Sequence, residues 1–476
     1  MLFNSVSFGI FLPIVFVIYW AIPHKYRWFL LLVSSYFFYM CWGAKYIVLI
    51  LLTTVVSYLA GILLEKEYNH KKKKMILTGT MIVCLGTLFV FKYLNFTCSS
   101  IVKLLNFISL DIHPFTLEIV LPVGISFYTF QTMSYVIDVY RGEIKAEHHF
   151  GIYAAFISYF PQLVAGPIER TRNLLPQIHS EKFFDYKQAT YGMKLMAWGF
   201  FKKLVIADVI AVYVDSVFGA LPKHRGCDLL IAIFFFTIQI YCDFSGYSDI
   251  AIGTAKLMGI ELMTNFKSPY FSTSIREFWS RWHISLSTWF KDYVYIPLGG
   301  NRCSKIRNYF NLMVTFLVSG LWHGASWNFL IWGGIHGIAQ VAEKHFNKTS
   351  VRLHQNTVMR IFSMVSVFLF CNFAWIFFRA ETFSNAIYVI THMFTDVFET
   401  AILLKSSLGL TLSKLLTIFG CITLLGIYDY FSLKFDVIER ISQKSILIRY
   451  FFYFGIVFII LTFRASSEAE FVYFQF

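Results

Sequence analysis

Apolar stretches of bilayer-spanning character recur along the chain, near residues 7–22, 30–42, 46–64, 76–94, 117–138, 190–218, 229–247, 278–298, 309–322, 327–342, 358–378, 409–430 and 449–464. A helix needs about 20 apolar residues to cross the hydrocarbon core, so the pattern predicts about eleven to thirteen helices of an all-α, multi-pass integral membrane protein. No polar block between them is large enough to fold separately, and residues 1–476 read as a single membrane domain. The stretch 30–42, with Tyr36, Phe37, Phe38, Tyr39 and Trp42, reads as a short or tilted segment. Two stretches break the pattern: Pro122-Val-Gly124, and Ser158-Tyr-Phe-Pro161 through Gly166-Pro167. Proline and glycine there interrupt backbone hydrogen bonding that hydrocarbon cannot replace, so these segments are expected to be re-entrant or covered by protein.

Composition agrees with the pattern: 57% of residues are hydrophobic, 20% aromatic and 14% charged, against about 25% charged in a soluble domain. The 41 Lys and Arg exceed the 27 Asp and Glu by 14. Much of that excess lies in short runs beside apolar segments: His24–Arg27, Lys71–Lys74, Lys202–Lys203 and Asn301–Arg307. Such runs fit loops facing anionic lipid. A nucleic-acid interface would need a basic groove lined with stacking aromatics, separable from the spans, and there is none in the sequence. The eight cysteines contain no CxxC pair, so neither a disulfide framework nor a metal site is indicated. The first apolar segment has no basic leader and no small-residue cleavage motif, which makes it a first membrane helix rather than a signal peptide.

Polar groups concentrate in residues 239–340, where composition alone would not place them. Ionisable side chains at membrane depth are costly and normally face a cavity or one another, so a buried polar cavity is expected here. One motif is Arg276-Glu-Phe-Trp-Ser-Arg281-Trp282-His283-Ile-Ser285-Leu-Ser287-Thr-Trp289-Phe-Lys291-Asp292, ending at Pro297-Leu-Gly-Gly300. Read as one helix, it lays an aromatic stripe beside His283 and puts Ser287 one turn away, within reach of the imidazole. The bland alternative is an interfacial aromatic belt with basic anchors. A second motif is Ser319-Gly-Leu-Trp322-His323-Gly324, followed by Trp327-Asn328 and by Trp332-Gly-Gly-Ile-His336-Gly337. A lone buried histidine is commonly structural. Two histidines in Trp-rich membrane segments, one of them beside a glycine that gives room for another backbone or a ligand, favour chemistry at His323.

Acyl transfer requires a base near neutral pKa, donors for the thioester oxyanion and exclusion of water, and this inventory matches it. No Gly-x-Ser-x-Gly elbow, Walker A, HExxH or dinucleotide fingerprint occurs, so direct transfer in a ternary complex is the simplest scheme. A transporter or flippase for a polysaccharide precursor would also use buried charges, and a scaffold would need neither histidine. Asp243 and Asp249 fall on different helix faces, which argues against a carboxylate pair. Asp243 is expected to meet Arg379 or another buried cation.

These motifs resemble the membrane-bound O-acyltransferase family, in the bacterial branch that modifies alginate, peptidoglycan and teichoic acid. The matching text includes Leu121–Gln131, Tyr159–Arg170, Gln239–Asp249, Arg276–Gly300, Trp322–Gly324, Trp375–Ala380 and the closing Phe471–Phe476. The resemblance implies a ring of about eleven membrane helices with re-entrant segments around a central catalytic tunnel, the core lying within about residues 120–380. It implies His323 as base on the acceptor hydroxyl and His283, at a position that is histidine in this branch and often asparagine elsewhere, as a second catalytic residue that polarises or orients the thioester carbonyl. Donor and substrate contacts would come from Trp282, Ser285, Ser287, Trp322, Asn328, His336, Arg281 and Lys291, with Lys202 and Lys203 also candidates for the donor phosphates. Asp243 and Arg379 would be structural. The donor would be acetyl-CoA, used as a substrate with no bound cofactor. The setting would be a bacterial inner membrane, with a periplasmic or extracellular esterase-like partner and a polysaccharide acceptor; D-alanine transfer to teichoic acid is the alternative.

Overall fold

The computed structural model describes residues 1–476 except 111, 114, 116, 118–120, 165, 347–355, 466–470 and 473–476, together with the side chains of 405 and 406. Every regular element among the described residues is helical. Six helices are long and apolar enough to cross a bilayer: Ala44–Lys66, His70–Phe107, Cys227–Leu257, Thr357–Arg379, Leu412–Ser432 and Ile446–Phe463. A bent pair, Phe383–His392 with Val397–Leu404, would make a seventh, and Val6–Ala21 is a shorter apolar helix. The chain divides into two compact units, residues 1–193 with 251–263 and residues 194–250 with 264–476.

In the first unit, Val6–Ala21 buries Phe8, Phe11, Leu12, Val15 and Tyr19 at helical spacing and exposes Val6, Ile10, Ile14 and Val17. Exposed apolar positions of this kind belong against lipid. The expected break at Tyr159-Phe-Pro161 separates a Phe150–Ser158 helix from a single turn at Phe160–Leu163. Its freed backbone groups are met by side chains. Gln131 and Gln162 both donate to the Phe156 carbonyl, at 3.0 and 3.1 Å, and Ser35 Oγ accepts from Phe160 N at 3.0 Å. Protein cover, as expected, therefore replaces what lipid cannot supply. Gly124, at φ +75°, is needed because a Cβ there would lie 2.5 Å from the Leu163 carbonyl oxygen. Glu169 accepts from Met263 N and from the Asn173 amide, so it orders the loop after Gly166-Pro167. Residues 118–120 of the 117–138 stretch and 473–476 of the closing motif lie outside the described residues.

The second unit holds two close helix crossings. A Cβ on Gly199 would lie 2.7 Å from the Gly246 carbonyl oxygen, and one on Gly246 would lie 2.8 Å from that of Gly199. Small residues let the backbones touch. Just beyond Gly199 the helix widens into a π turn, Phe201–Ala207, that carries Lys202 and Lys203. Lys203 Nζ sits 2.8 Å from Asp208 and 2.7 Å from Asp243, and Lys202 Nζ is 2.7 Å from Asp249. The cation beside Asp243 is thus Lys203. Arg379 instead pairs with Asp215, at 2.8 Å. At the second crossing, the Lys305–His323 and Trp327–Phe346 helices meet through Gly320 and Gly333, where added Cβ atoms would lie 2.2 and 2.3 Å from facing carbonyl oxygens. A connection of only three residues, Gly324–Ser326, makes these helices neighbours.

Candidate active site

All the central side chains of the 276–336 region belong to the second unit. The Arg276–Gly300 motif is not the single helix that the sequence suggests. It forms two short helices, Ile275–Arg281 and Ile284–Phe290, then a π turn at Lys291–Tyr295. The first is capped by Ser274, whose Oγ accepts from Glu277 N, while Glu277 reaches back to Thr273 N and Glu343 accepts from Ile275 N. His283 forms the joint, with φ 44° and ψ 53°. A left-handed conformation is uncommon for a residue with a Cβ and recurs at functional sites. This joint also cancels the expected turn-to-turn contact. Ser287 Oγ donates to the Trp282 carbonyl at 3.1 Å, and Ser285 is the serine beside the imidazole, 3.5 Å from Nδ1.

His323 ends its helix, and Gly324 follows in extended conformation with no room for a Cβ, which would clash with the Phe329 ring. The His323 ring is 3% exposed and enclosed by Trp322, Trp332 and Phe378, with ring centroids at 4.9, 5.0 and 5.4 Å. His283 is fully buried against the edge of Phe244 and near Trp322, at 4.5 and 5.9 Å. The two imidazoles are neighbours, tilted at 58° to one another with centroids 6.5 Å apart. His336 sits on the other side of Trp332, at 5.0 Å, and its Nδ1 accepts from Trp279 Nε1 at 3.2 Å. Indole only donates, so His336 carries its proton on Nε2.

Several predicted contacts have other work. Asn328 donates to the Ala380 carbonyl at 2.6 Å and so closes the end of the Thr357–Arg379 helix. Arg281 pairs with Glu277 at 2.6 Å. Lys202 and Lys203, 4% and 1% exposed, neutralise buried carboxylates and are not displayed for a soluble phosphate. Trp282 packs on Trp375 and Phe266, both at 5.1 Å. Lys291 and Ser287 do line a cavity of about 360 Å³ with Arg276, Trp279, Tyr295 and Ser319. Ser319 is one turn before His323, and Ile284, also on the wall, follows His283. Neither histidine lines the cavity; its wall is built by other residues of the segments that carry them. One residue of the cluster escaped the sequence reading. Asn265 lies in the extended stretch 260–267, whose lack of periodicity gave no signal.

A family model, membrane-bound O-acyltransferase, matches residues 141–387, which contain both histidines, Asn265 and the cavity lining. The chain belongs to the membrane-bound O-acyltransferase family. This acyltransferase is 39% identical over 452 residues to a probable alginate O-acetylase of Pseudomonas syringae pv. tomato, covering 94% of this chain and 85% of that protein. It is 34% identical over 426 residues to a peptidoglycan O-acetyltransferase of Helicobacter pylori, covering 83% and 80%. Its likeness to a teichoic acid D-alanyltransferase of Bacillus subtilis is narrower: 29% over 280 residues, covering 55% and 70%. The chain is a multi-pass membrane O-acyltransferase.

Proposed function

We propose that the enzyme takes acetyl from acetyl-CoA at the cytosolic face of a bacterial inner membrane and passes it on for O-acetylation of an exported envelope polysaccharide. A separate periplasmic or extracellular partner, of esterase-like type, completes delivery. The observation that carries this reading is the neighbouring pair His283 and His323, buried in an aromatic enclosure, with Arg276 and Lys291 on the wall of a cavity built by the same segments. Acetyl rather than D-alanyl transfer is supported by the fuller match to O-acetylating relatives.

In the mechanism, the acceptor hydroxyl gives its proton to His323 as its oxygen bonds to the thioester carbon. The carbon–sulfur bond breaks, and the departing thiolate recovers the proton from the imidazolium. His283 orients the reacting carbonyl or hydroxyl from the opposite side. The aromatic enclosure excludes water, which would otherwise hydrolyse the thioester. Lys291 and Arg276 on the cavity wall supply charge for the donor's phosphates. The transporter alternative needs charges that line a path, whereas Lys202 and Lys203 pair with neighbouring carboxylates.

The test is CoA release from radiolabelled acetyl-CoA by the full chain in lipid bilayers, with its partner and an alginate oligosaccharide present. The expected result is turnover in the wild type, and its loss in His323→Ala and His283→Ala at matched folded yield. Unchanged turnover in His323→Ala would overturn its role as base. Oligosaccharide movement without acetyl turnover would replace the enzyme by a transporter.

A further inference from the structure

The geometry points to Asn265 as a positioning residue that fixes the tautomer of His283, so that His283 offers the reaction an Nε2 lone pair and not an N–H. The inference rests on the acyl-transfer reading for its consequence, but its structural content stands apart from it.

Asn265 is fully buried, and three groups converge on its Oδ1: His283 Nδ1 at 3.1 Å, Ser285 Oγ at 2.9 Å and the backbone N of Ser285 at 3.3 Å. The two ends of an amide side chain are nearly indistinguishable by shape, but the peptide N–H of Ser285 can only donate. The atom facing it must therefore be the oxygen. An amide oxygen only accepts, so the imidazole nitrogen in contact with it carries a hydrogen. On the far end, Asn265 Nδ2 donates to Ser248 Oγ at 3.1 Å, a partner that suits the orientation the Ser285 peptide N–H sets.

The backbone repeats the arrangement. Ile284 N donates to the Asn265 carbonyl and Lys267 N donates to the Arg281 carbonyl, both at 2.9 Å. These two bonds lay the extended 265–267 stretch along the joint between the short helices and set the Asn265 side chain beside the left-handed His283. With its Nδ1–H committed, neutral His283 can accept a proton or a hydrogen bond at Nε2, on a ring whose centroid is 6.5 Å from that of His323. It can polarise a thioester carbonyl only as imidazolium. Of the two orienting roles open to it, the tautomer favours the acceptor hydroxyl over the carbonyl.

The experiment compares wild type with Asn265→Ala, Asn265→Asp and the Asn265→Ala/His283→Ala double variant, each as the full chain in bilayers. CoA release from acetyl-CoA, with the partner and an alginate oligosaccharide, is followed across pH. Asn265→Ala is expected to lower kcat by about 10–100-fold, the cost typical of removing a group that orients a working histidine. Its effect should vanish in the His283→Ala background, whereas a purely structural role would add there. Asn265→Asp keeps the shape and supplies a negative charge beside Nδ1–H. The acid limb of its pH–rate profile should move up by about 1 pH unit or more. An unmoved profile together with additive losses would overturn the assignment. A second readout is independent of turnover: isotope-edited NMR of histidine-labelled protein, with His283→Ala to identify the signal. A His283 proton on Nδ1 supports the inference, and one on Nε2 overturns it. If the wild type releases no CoA, the acetyl-transfer proposal fails while the tautomer is still decided by NMR.

Discussion

Replacing Lys203 with Met removes a cation held between Asp208 and Asp243 at 2.8 and 2.7 Å, where all three side chains are only 2% exposed. Removing one member of a buried ion pair costs about 3–5 kcal/mol, because the remaining charge keeps its desolvation penalty and loses its compensation. Here two carboxylates lose the same cation. Asp243 retains the Val472 N–H at 2.7 Å, which softens but does not replace the loss. The upper part of that range, about 5 kcal/mol, is therefore expected, enough to unfold much of a domain whose whole margin is about 5–15 kcal/mol. The assay is thermal unfolding and monodisperse yield in detergent, for Lys203→Met and for the triple variant Lys203→Met/Asp208→Asn/Asp243→Asn. Neutralising the carboxylates along with the lysine should recover most of the loss, since a fully uncharged cluster has no charge left to compensate. A phosphate-binding lysine predicts the opposite signature: wild-type stability with a raised KM for acetyl-CoA. That pattern, or a triple variant no more stable than the single one, would refute the ion-cluster reasoning.

Other consequences can be checked in the same preparation. His323→Ala should fold and lose acetyl transfer by about 10²–10⁴-fold, the usual share of a general base, measured as CoA release. Gly333→Ala would bring a methyl group to 2.3 Å from the Phe316 carbonyl oxygen and force the two helices apart. An overpacking cost of about 1–3 kcal/mol should appear as a lowered Tm, with transfer falling because His323 rides on the displaced partner. Gln162→Leu removes the donor to Gln131 and to the Phe156 carbonyl, at 3.0 and 3.1 Å, and leaves polar groups buried. About 1–3 kcal/mol of destabilisation is expected from thermal melts, with no change in KM for acetyl-CoA.

Hydropathy located the long lipid-facing helices closely: the stretches 46–64, 358–378 and 449–464 correspond to Ala44–Lys66, Thr357–Arg379 and Ile446–Phe463. Apolar length alone decides such elements, so the pattern is enough. It failed where backbone conformation decides. The 278–298 stretch carries Trp279, Trp282, Trp289 and Phe290 at near-helical spacing, yet the positive φ of His283 divides it, and nothing in hydropathy reports φ. The same divide moved Ser287 away from the imidazole and brought Ser285 to it. Lys71–Lys74 looked like a loop and is the first turns of a helix that begins at His70, its start fixed by Asn69 accepting from Lys71 N and Lys72 N. Both central histidines were legible because a ring of tryptophans around an imidazole is unusual text. Asn265 was not, since its meaning lies in a contact with a residue 18 positions away.

The left-handed joint at His283 also limits what descent can place there. Glycine, asparagine, aspartate and histidine visit that region at least cost, while β-branched or bulky residues are genuine outliers in it. A lineage that gives up the imidazole while keeping the bend has few exits, and asparagine is the one that also keeps a neutral polar head with both a donor and an acceptor. The exchange of histidine for asparagine implied by the family resemblance at this position thus reads as a passage through the narrowest gate in the backbone. Such an exchange would give up the ability to hold a proton while the turn could stay.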